Sequence, residues 1–274
     1  MKETKVYLLD CGTMALDQTY MFMDAGLTGQ RRFPVYGVLI DHAEGKFIFD
    51  TGFDHAHIQS VAAFTEPRQS PEQTIPGQLS VLGVRPREIT HVINSHYHLD
   101  HCGGNKYCTH ATTICHQCEL EILKAPGPKE ELPYSEISFA PNIRSGASGA
   151  SAGTEPSGAG AAADIFTPRF ETLTGDQEIA KGVMLFETTG HTPGHYSLMV
   201  KLANRRPMLF TADACYAQKN LDMMCIQSGN HDPAQALQSL HRLKSLAEQH
   251  DAELFYSHDP DSWPAYQRAP GYYS

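Results

Sequence analysis

The chain has 274 residues, 41% of them hydrophobic, with a formal net charge of −10. That length suffices for a substantial core, in one large domain or two small ones. The acidic balance, with no basic cluster beyond Arg31-Arg32 and Arg205-Arg206, argues against a nucleic-acid-binding surface and against binding to anionic membranes.

No apolar run approaches the ~20 residues of a membrane span. Lys2, Glu3 and Lys5 precede a short apolar run, Val6 to Leu9, which lacks the length and cleavage pattern of an export signal. The seven cysteines are an odd number, and without such a signal they read as reduced thiols of a cytoplasmic protein.

Strand patterns dominate the first half. Lys5 to Leu9 reads as a strand, and Val35 to Ile40 and Lys46 to Asp50 as two more. The last two are joined hairpin-fashion by Asp41-His42-Ala43-Glu44-Gly45. Asp50-Thr51-Gly52 has turn chemistry, and Gln78 to Leu82 is a further short apolar stretch of this strand-and-turn half. Arg87 to Ile93 reads as a strand that runs into His96-Tyr97-His98-Leu99-Asp100-His101. Gly103-Gly104-Asn105 follows and lets the backbone run close to that cluster.

Three imidazoles and a carboxylate within six residues are hard to explain by packing, whereas one buried histidine is ordinarily just packed or hydrogen-bonded. Imidazole and carboxylate suit zinc and similar divalent ions. Leaving a strand in a tight loop, His96 and His98 can converge on one ion, while Asp100 and His101 turn toward a second.

Thr112 to Cys115 reads as a strand passing into a helix at Gln117 to Leu123. The C-x-x-C pair Cys115-His116-Gln117-Cys118 at that junction has no second C-x-x-C partner, so its thiols read as packing groups, with a small structural metal site as the alternative. From Ser145 to Asp164 the chain is largely Gly, Ala and Ser. This stretch is expected to be a flexible surface loop inside a single domain spanning 1–274, since candidate ligands lie on both sides of it.

The second half repeats the strand pattern at Val183 to Phe186, Tyr196 to Leu202, Met208 to Thr211 and Leu254 to Tyr256. Asp232-Pro233 has N-cap and first-turn chemistry, opening a helix with Leu237, Leu240, Leu243 and Leu246 as its buried stripe. Three strands end in metal-competent residues: His191 in Gly190-His191-Thr192-Pro193-Gly194-His195, Asp213 in Thr211-Ala212-Asp213-Ala214-Cys215-Tyr216, and His258 in Tyr256-Ser257-His258-Asp259. Strands and helices in both halves fit a four-layer αββα sandwich with the site along the edge where two sheets meet.

Five histidines and two aspartates suffice for two metals sharing one carboxylate and one water. Such a pair lowers the pKa of the shared water and stabilises an oxyanion, so acyl hydrolysis needs no serine or cysteine nucleophile. Tyr216, three residues after Asp213, can place a phenol beside the site to hydrogen-bond an oxyanion or deliver a proton, or can simply pack in the core.

H-x-H-x-D-H followed by Gly103-Gly104-Asn105, then Gly190-His191, Asp213 and His258, resembles the metallo-β-lactamase superfamily over nearly the whole chain. The resemblance implies that His96, His98 and His191 hold one metal, that Asp100, His101 and His258 hold the other, and that Asp213 bridges them. It implies two divalent ions, zinc first. Zinc β-lactamases usually lack the histidine at His101 and carry cysteine at Asp213, which argues against antibiotic hydrolysis. Glyoxalase II and the persulfide dioxygenases lack the Asp213-x-x-Tyr216 arrangement, and the acidic surface counts against an RNase Z.

Asp213-x-x-Tyr216 with a late Ser257-His258-Asp259 is similar to the N-acyl-homoserine lactonase group. That likeness implies a lactonase acting on a small lactone, of the 4-pyridoxolactone or N-acyl-homoserine lactone kind. Tyr216 would assist ring opening, Asp100 would carry a proton, and a homodimer is implied. An enzyme opening an aromatic-fused cyclic carbamate and a persulfide dioxygenase with a single iron are the alternatives.

Overall fold

The computed structural model describes residues 2–127, 132–133 and 169–274. The Gly/Ala/Ser-rich stretch Ser145–Asp164 lies outside them. Among the described residues, β1 (Lys5–Asp17), β2 (Gln30–His42), β3 (Gly45–Phe49), β4 (His91–Ile93), β5 (Thr112–His116) and β6 (Arg169–Leu173) form one sheet in chain order. The second sheet runs β11-β10-β9-β8-β7, from β7 (Gln177–Ala180), β8 (Val183–Glu187), β9 (Tyr196–Val200), β10 (Met208–Phe210) and β11 (Glu253–Phe255). The expected hairpin is present, with β2 antiparallel to β3 from Val38 opposite Phe49 to His42 opposite Gly45.

The period-2 alternation of strand side chains sorts the core into layers. Val38, Ile40, Phe47 and Phe49 from the first sheet pack with Leu198, Val200, Met208 and Phe210 from the second. Their alternates face outward. Leu39, Ile48 and Val92 meet α2 (His55–Val61) and α3 (Ile75–Val81) through Ile58, Ile75 and Leu79. Met199 and Leu209 meet the helix Pro233–His250 through Ala236, Leu240, Leu243 and Leu246. The molecule is thus helix, sheet, sheet, helix, as the sequence predicts. Among the described residues there are also the short helices α1 (Gln18–Met21), α4 (Leu99–Cys102), α5 (Gln117–Lys124) and α6 (Gln218–Met223); the long helix Pro233–His250 is α7.

Asp232 caps α7 as expected, its carboxylate accepting from the amides of Ala234 and Gln235. The stripe, however, runs through Ala236, Ser239, Leu240, Leu243 and Leu246, and Leu237 is 38% exposed. At 3.6 residues per turn, 236 and 240 share the buried face while 237 is turned about 100° from 236. Gln78 to Leu82 belongs mostly to helix α3, capped by Thr74 with Pro76 in its first turn. The strand expected from Arg87 begins only at His91, because Pro86–Glu88 forms a 3-10 turn and Pro lacks the N–H that a ladder needs. β1 and β2 run to 13 residues each, well past their sequence-read limits, because a register shift between Asp10 and Thr13 breaks the alternation mid-strand.

Candidate metal centre

The parallel pairs β3/β4 and β10/β11 end in register, Phe49 opposite Ile93 and Phe210 opposite Phe255. The chain therefore leaves β4, β10 and β11 on the same edge of the sandwich, and β8 delivers the turn carrying His191 to it. Asp50, Ser95–His101, Asp213 and His258 all follow these strand ends. The Tyr196 amide donates to Ser95 O across the two sheets at 2.9 Å, and His258 Nδ1 lies 2.9 Å from Pro34 O. Close approach is also needed behind the histidine loop: a Cβ on Gly103 would lie 2.2 Å from Asp54 N. The expectation for the Gly-Gly pair is met there.

Two clusters of metal-competent atoms result, each with all atoms within 4.8 Å of one another: His96, His98, His191 and Asp213 in one, Asp100, His101 and His258 in the other. Asp213 spans both. Its Oδ2 lies 3.4 Å from His191 Nε2 and 3.8 Å from His96 Nε2, while Oδ1 lies 3.2 Å from His101 Nε2 and 3.1 Å from His258 Nε2. Asp100 Oδ2 stands 3.6 Å from His258 Nε2 and 3.9 Å from His101 Nε2. His98 Nδ1 and His191 Nε2 are 3.0 Å apart.

Neighbouring acceptors set the tautomers. The Ser95 hydroxyl donates to Asp50 Oδ2 at 2.7 Å, so its oxygen accepts from His96 Nδ1 at 2.9 Å. Asp50 Oδ2 accepts from His101 Nδ1 at 2.8 Å, and Pro34 O accepts from His258 Nδ1. With their protons on Nδ1, these three rings turn bare Nε2 atoms into the site. Those Nε2 atoms and Asp213 Oδ1 are buried and make no hydrogen bond. Four buried acceptors facing one another are costly unless a cation stands among them. The donor set therefore fits divalent metal.

The electrostatics agree. Burial opposes ionisation of Asp213, yet His101 and His258 hold its carboxyl well below the usual range. Burial, reinforced by neighbouring imidazoles, keeps His96 and His98 far below the ordinary histidine value, as neutral lone-pair donors. Burial likewise opposes charge on His101 and His258, but Asp213 and the nearby carboxylates raise both. A proton is drawn to the place where a cation fits.

The centre opens into a cleft of about 230 Å³ walled by Met14, Leu16, Tyr20, Phe33, Phe64 and Tyr216. The Tyr216 ring stands edge-on to His258, with centroids 4.9 Å apart. Burial and the Asp213 charge push its phenol well above 10, so it is a neutral donor.

All the sequence-read candidates meet at this edge: His96, His98, Asp100, His101, His191, Asp213, Tyr216 and His258. Cys115 and Cys118 belong to neither cluster; Cys115 is buried, with its thiol pushed up to about 12, which fits packing. The sequence reading missed the residues that orient the ligands. In the sequence Asp50 reads only as the end of a strand and the start of a turn. His195 accepts the Asp213 amide on Nε2 at 3.0 Å, and Asn230 Oδ1 lies 3.2 Å from His191 Nδ1. The hint for Asp50 was its strand-end position beside Thr51-Gly52, matching that of the other site carboxylate.

The chain matches the family model described as the metallo-beta-lactamase superfamily over residues 31–258. It is 27% identical to the N-acyl homoserine lactonase AttM of Rhizobium radiobacter over the full length of both chains. It is also 27% identical to the N-acyl homoserine lactonase AiiA of Bacillus thuringiensis subsp. kurstaki over 94% of each. Its fold is similar to that of an N-acyl homoserine lactone hydrolase solved with the product N-hexanoyl-L-homoserine at its catalytic metal centre, with a TM-score of 0.79, 24% identity and full coverage of both chains. A second quorum-quenching N-acyl homoserine lactone hydrolase aligns with a TM-score of 0.78 and 25% identity, over 100% of this chain and 99% of its own. Matched by the family model from β2 to His258, the chain belongs to the metallo-beta-lactamase superfamily.

Proposed function

We propose that this chain is a dinuclear metal-dependent lactonase, one domain throughout, that hydrolyses the ester bond of a small lactone ring. His96, His98 and His191 would hold one ion and Asp100, His101 and His258 the other, with Asp213 placed to serve both. The observation that carries this reading is the Asp213 carboxylate, with Oδ2 turned to one set of histidines and Oδ1 to the other. Zinc suits the nitrogen and oxygen donors, which iron, manganese or cobalt also accept.

Bound there, two divalent ions supply an activated water and polarise the ester carbonyl. The neutral Tyr216 phenol donates to the carbonyl oxygen as negative charge develops on it. Asp100, which lines the cleft, carries a proton to the ring oxygen as the acyl C–O bond breaks. Phe33, Leu16 and Met14 seat the apolar part of the substrate and exclude water.

A compact lactone such as 4-pyridoxolactone is the leading substrate. Thr74-Ile75-Pro76-Gly77 and His101-Cys102-Gly103-Gly104-Asn105-Lys106-Tyr107 resemble 4-pyridoxolactonase, and a cleft of this size suits such a ring. N-acyl homoserine lactones stand next, supported by AttM and AiiA. All seven cysteines are free, in keeping with a cytoplasmic protein, and no described helix is long and apolar enough to cross a membrane.

The test is a pH-indicator hydrolysis assay on the metal-loaded protein with 4-pyridoxolactone, short- and long-chain acyl-homoserine lactones and a benzoxazolinone. Turnover of a lactone supports the reading. Turnover of the benzoxazolinone alone transfers the activity to cyclic carbamates. A content of one iron per chain, with no turnover of any ring, favours the persulfide dioxygenase instead.

A further inference from the structure

We propose that Glu119 is a positioning residue that locks the His96–His98 loop to the His191 loop and so sets the affinity of one of the two metal positions. The inference rests on the dinuclear reading above. Glu119 lies in the first turn of α5 and is fully buried. Its Oε2 accepts the Tyr97 amide at 3.0 Å, and its Oε1 accepts the Gly194 amide at 3.0 Å. Tyr97 stands between His96 and His98; Gly194 is three residues after His191. One carboxylate thus ties a loop that leaves the first sheet to a loop of the second, and both loops carry ligands of the same cluster.

A buried carboxylate is retained only where hydrogen bonds replace its water, and bonds to an ionised acceptor are short and directional. The packing leaves little freedom: a Cβ on Gly194 would lie 2.7 Å from His116 Nδ1 and 2.9 Å from Glu119 Cγ. The start of α5 is fixed in turn, since the Cys118 amide donates to His116 Nδ1, and His116 Nε2 lies 2.8 Å from Glu187 Oε1. The segment marked by its C-x-x-C pair therefore matters for the acid one residue beyond it. Tyr97 is flanked by His96 and His98, and Gly194 belongs to the turn that carries His191, so the brace acts on the cluster those three ligands form.

In Glu119→Gln one backbone amide faces an amide NH2 instead of an oxygen, and one tie is lost. The experiment is a competitive Zn(II) titration of the full chain against a chromophoric chelator, with the Co(II) visible spectrum as a second readout. The wild type is expected to bind in two steps. Glu119→Gln is expected to weaken one step by about 10–100-fold, the usual effect of losing a group that orients a ligand, to leave the other step unchanged, and to alter the Co(II) bands of one site. Glu119→Asp keeps the charge but is a methylene shorter, and should weaken the same step; it replaces the Gln variant should that one not fold. Two unchanged steps in a folded variant overturn the proposal, as does equal weakening of both steps together with a lower melting temperature. A wild-type chain that binds no metal overturns instead the dinuclear reading itself.

Discussion

Asp50→Asn tests the link between ligand orientation and metal affinity most directly. Asp50 accepts three hydrogen bonds: the Ser95 amide at 2.8 Å, the Ser95 hydroxyl at 2.7 Å and His101 Nδ1 at 2.8 Å. A carboxylate accepts all three, whereas an asparagine oxygen replaces only one side of it, and the NH2 must then face a donor. If the oxygen stays on the Ser95 amide, the NH2 takes the place of Oδ2 and faces both the Ser95 hydroxyl and His101 Nδ1. The cheapest relief moves the imidazole proton to Nε2, the atom that lies 3.2 Å from Asp213 Oδ1 and would hold the ion. The variant is nearly isosteric, so the fold should survive while His101 is held in the wrong tautomer. Losses of this kind cost about 10–100-fold in metal affinity, or about 1.4–2.7 kcal/mol at 1.36 kcal/mol per tenfold. In a Zn(II) competition titration the weakened step should be the one held by Asp100, His101 and His258, the opposite of Glu119→Gln. A folded Asp50→Asn protein with both affinities at wild-type values would refute the tautomer argument.

Asp213→Ala removes the carboxylate shared by the two clusters and should abolish binding of both ions together with activity, read by elemental analysis after dialysis; retention of two ions per chain contradicts the bridging role. Tyr216→Phe should keep both ions and lose about 10²–10³ in kcat, the cost of deleting one oxyanion donor; full activity on the true substrate would show that the phenol only packs. Metal affinity should also depend on pH with a definite sign. Without metal, His101 and His258 hold protons above the ordinary histidine range because Asp213 outweighs burial. An ion must displace those protons, so affinity is fullest above the raised pKa values and falls as pH drops through them. Zn(II) titrations that give one affinity from mildly alkaline to acidic pH contradict that account.

The layer order was legible because apolar alternation is a property of local sequence. Val38, Ile40, Phe47 and Phe49 point one way, Leu39 and Ile48 the other, and the strands declare it. What was not legible depended on breaks in the pattern. Cys11-Gly12 interrupts β1, so its second half is invisible to an alternation count although it pairs with β2 as far as Asp17 opposite Gln30. The α7 stripe was misread at Leu237 because leucines three apart suggest a face, while the packed face includes a small residue, Ala236, that composition does not flag.

The metal ligands were legible for a different reason. Histidine and aspartate at strand ends are unusual residues for a core, and their chemistry is carried by identity. Asp50, Glu119, Ser95 and His195 act through where their second atom points, which spacing does not encode. Glu119 illustrates the difference: on a short helix among Gln117, Cys118 and Leu120 it looks like an ordinary surface acid, and only the arrival of Tyr97 and Gly194 from two sheets makes it a buried acceptor of two amides. Asp50 has a backbone mark as well, a φ of +54°, and Ala212, which precedes Asp213, has a φ of +42°. Left-handed backbone at non-glycine residues costs energy, about 1–3 kcal/mol each, and persists where the surrounding structure demands it. Here it occurs at or beside both fully buried carboxylates of the centre. The turns are bent so that one carboxylate faces two sets of histidines while the other holds the ring of a third.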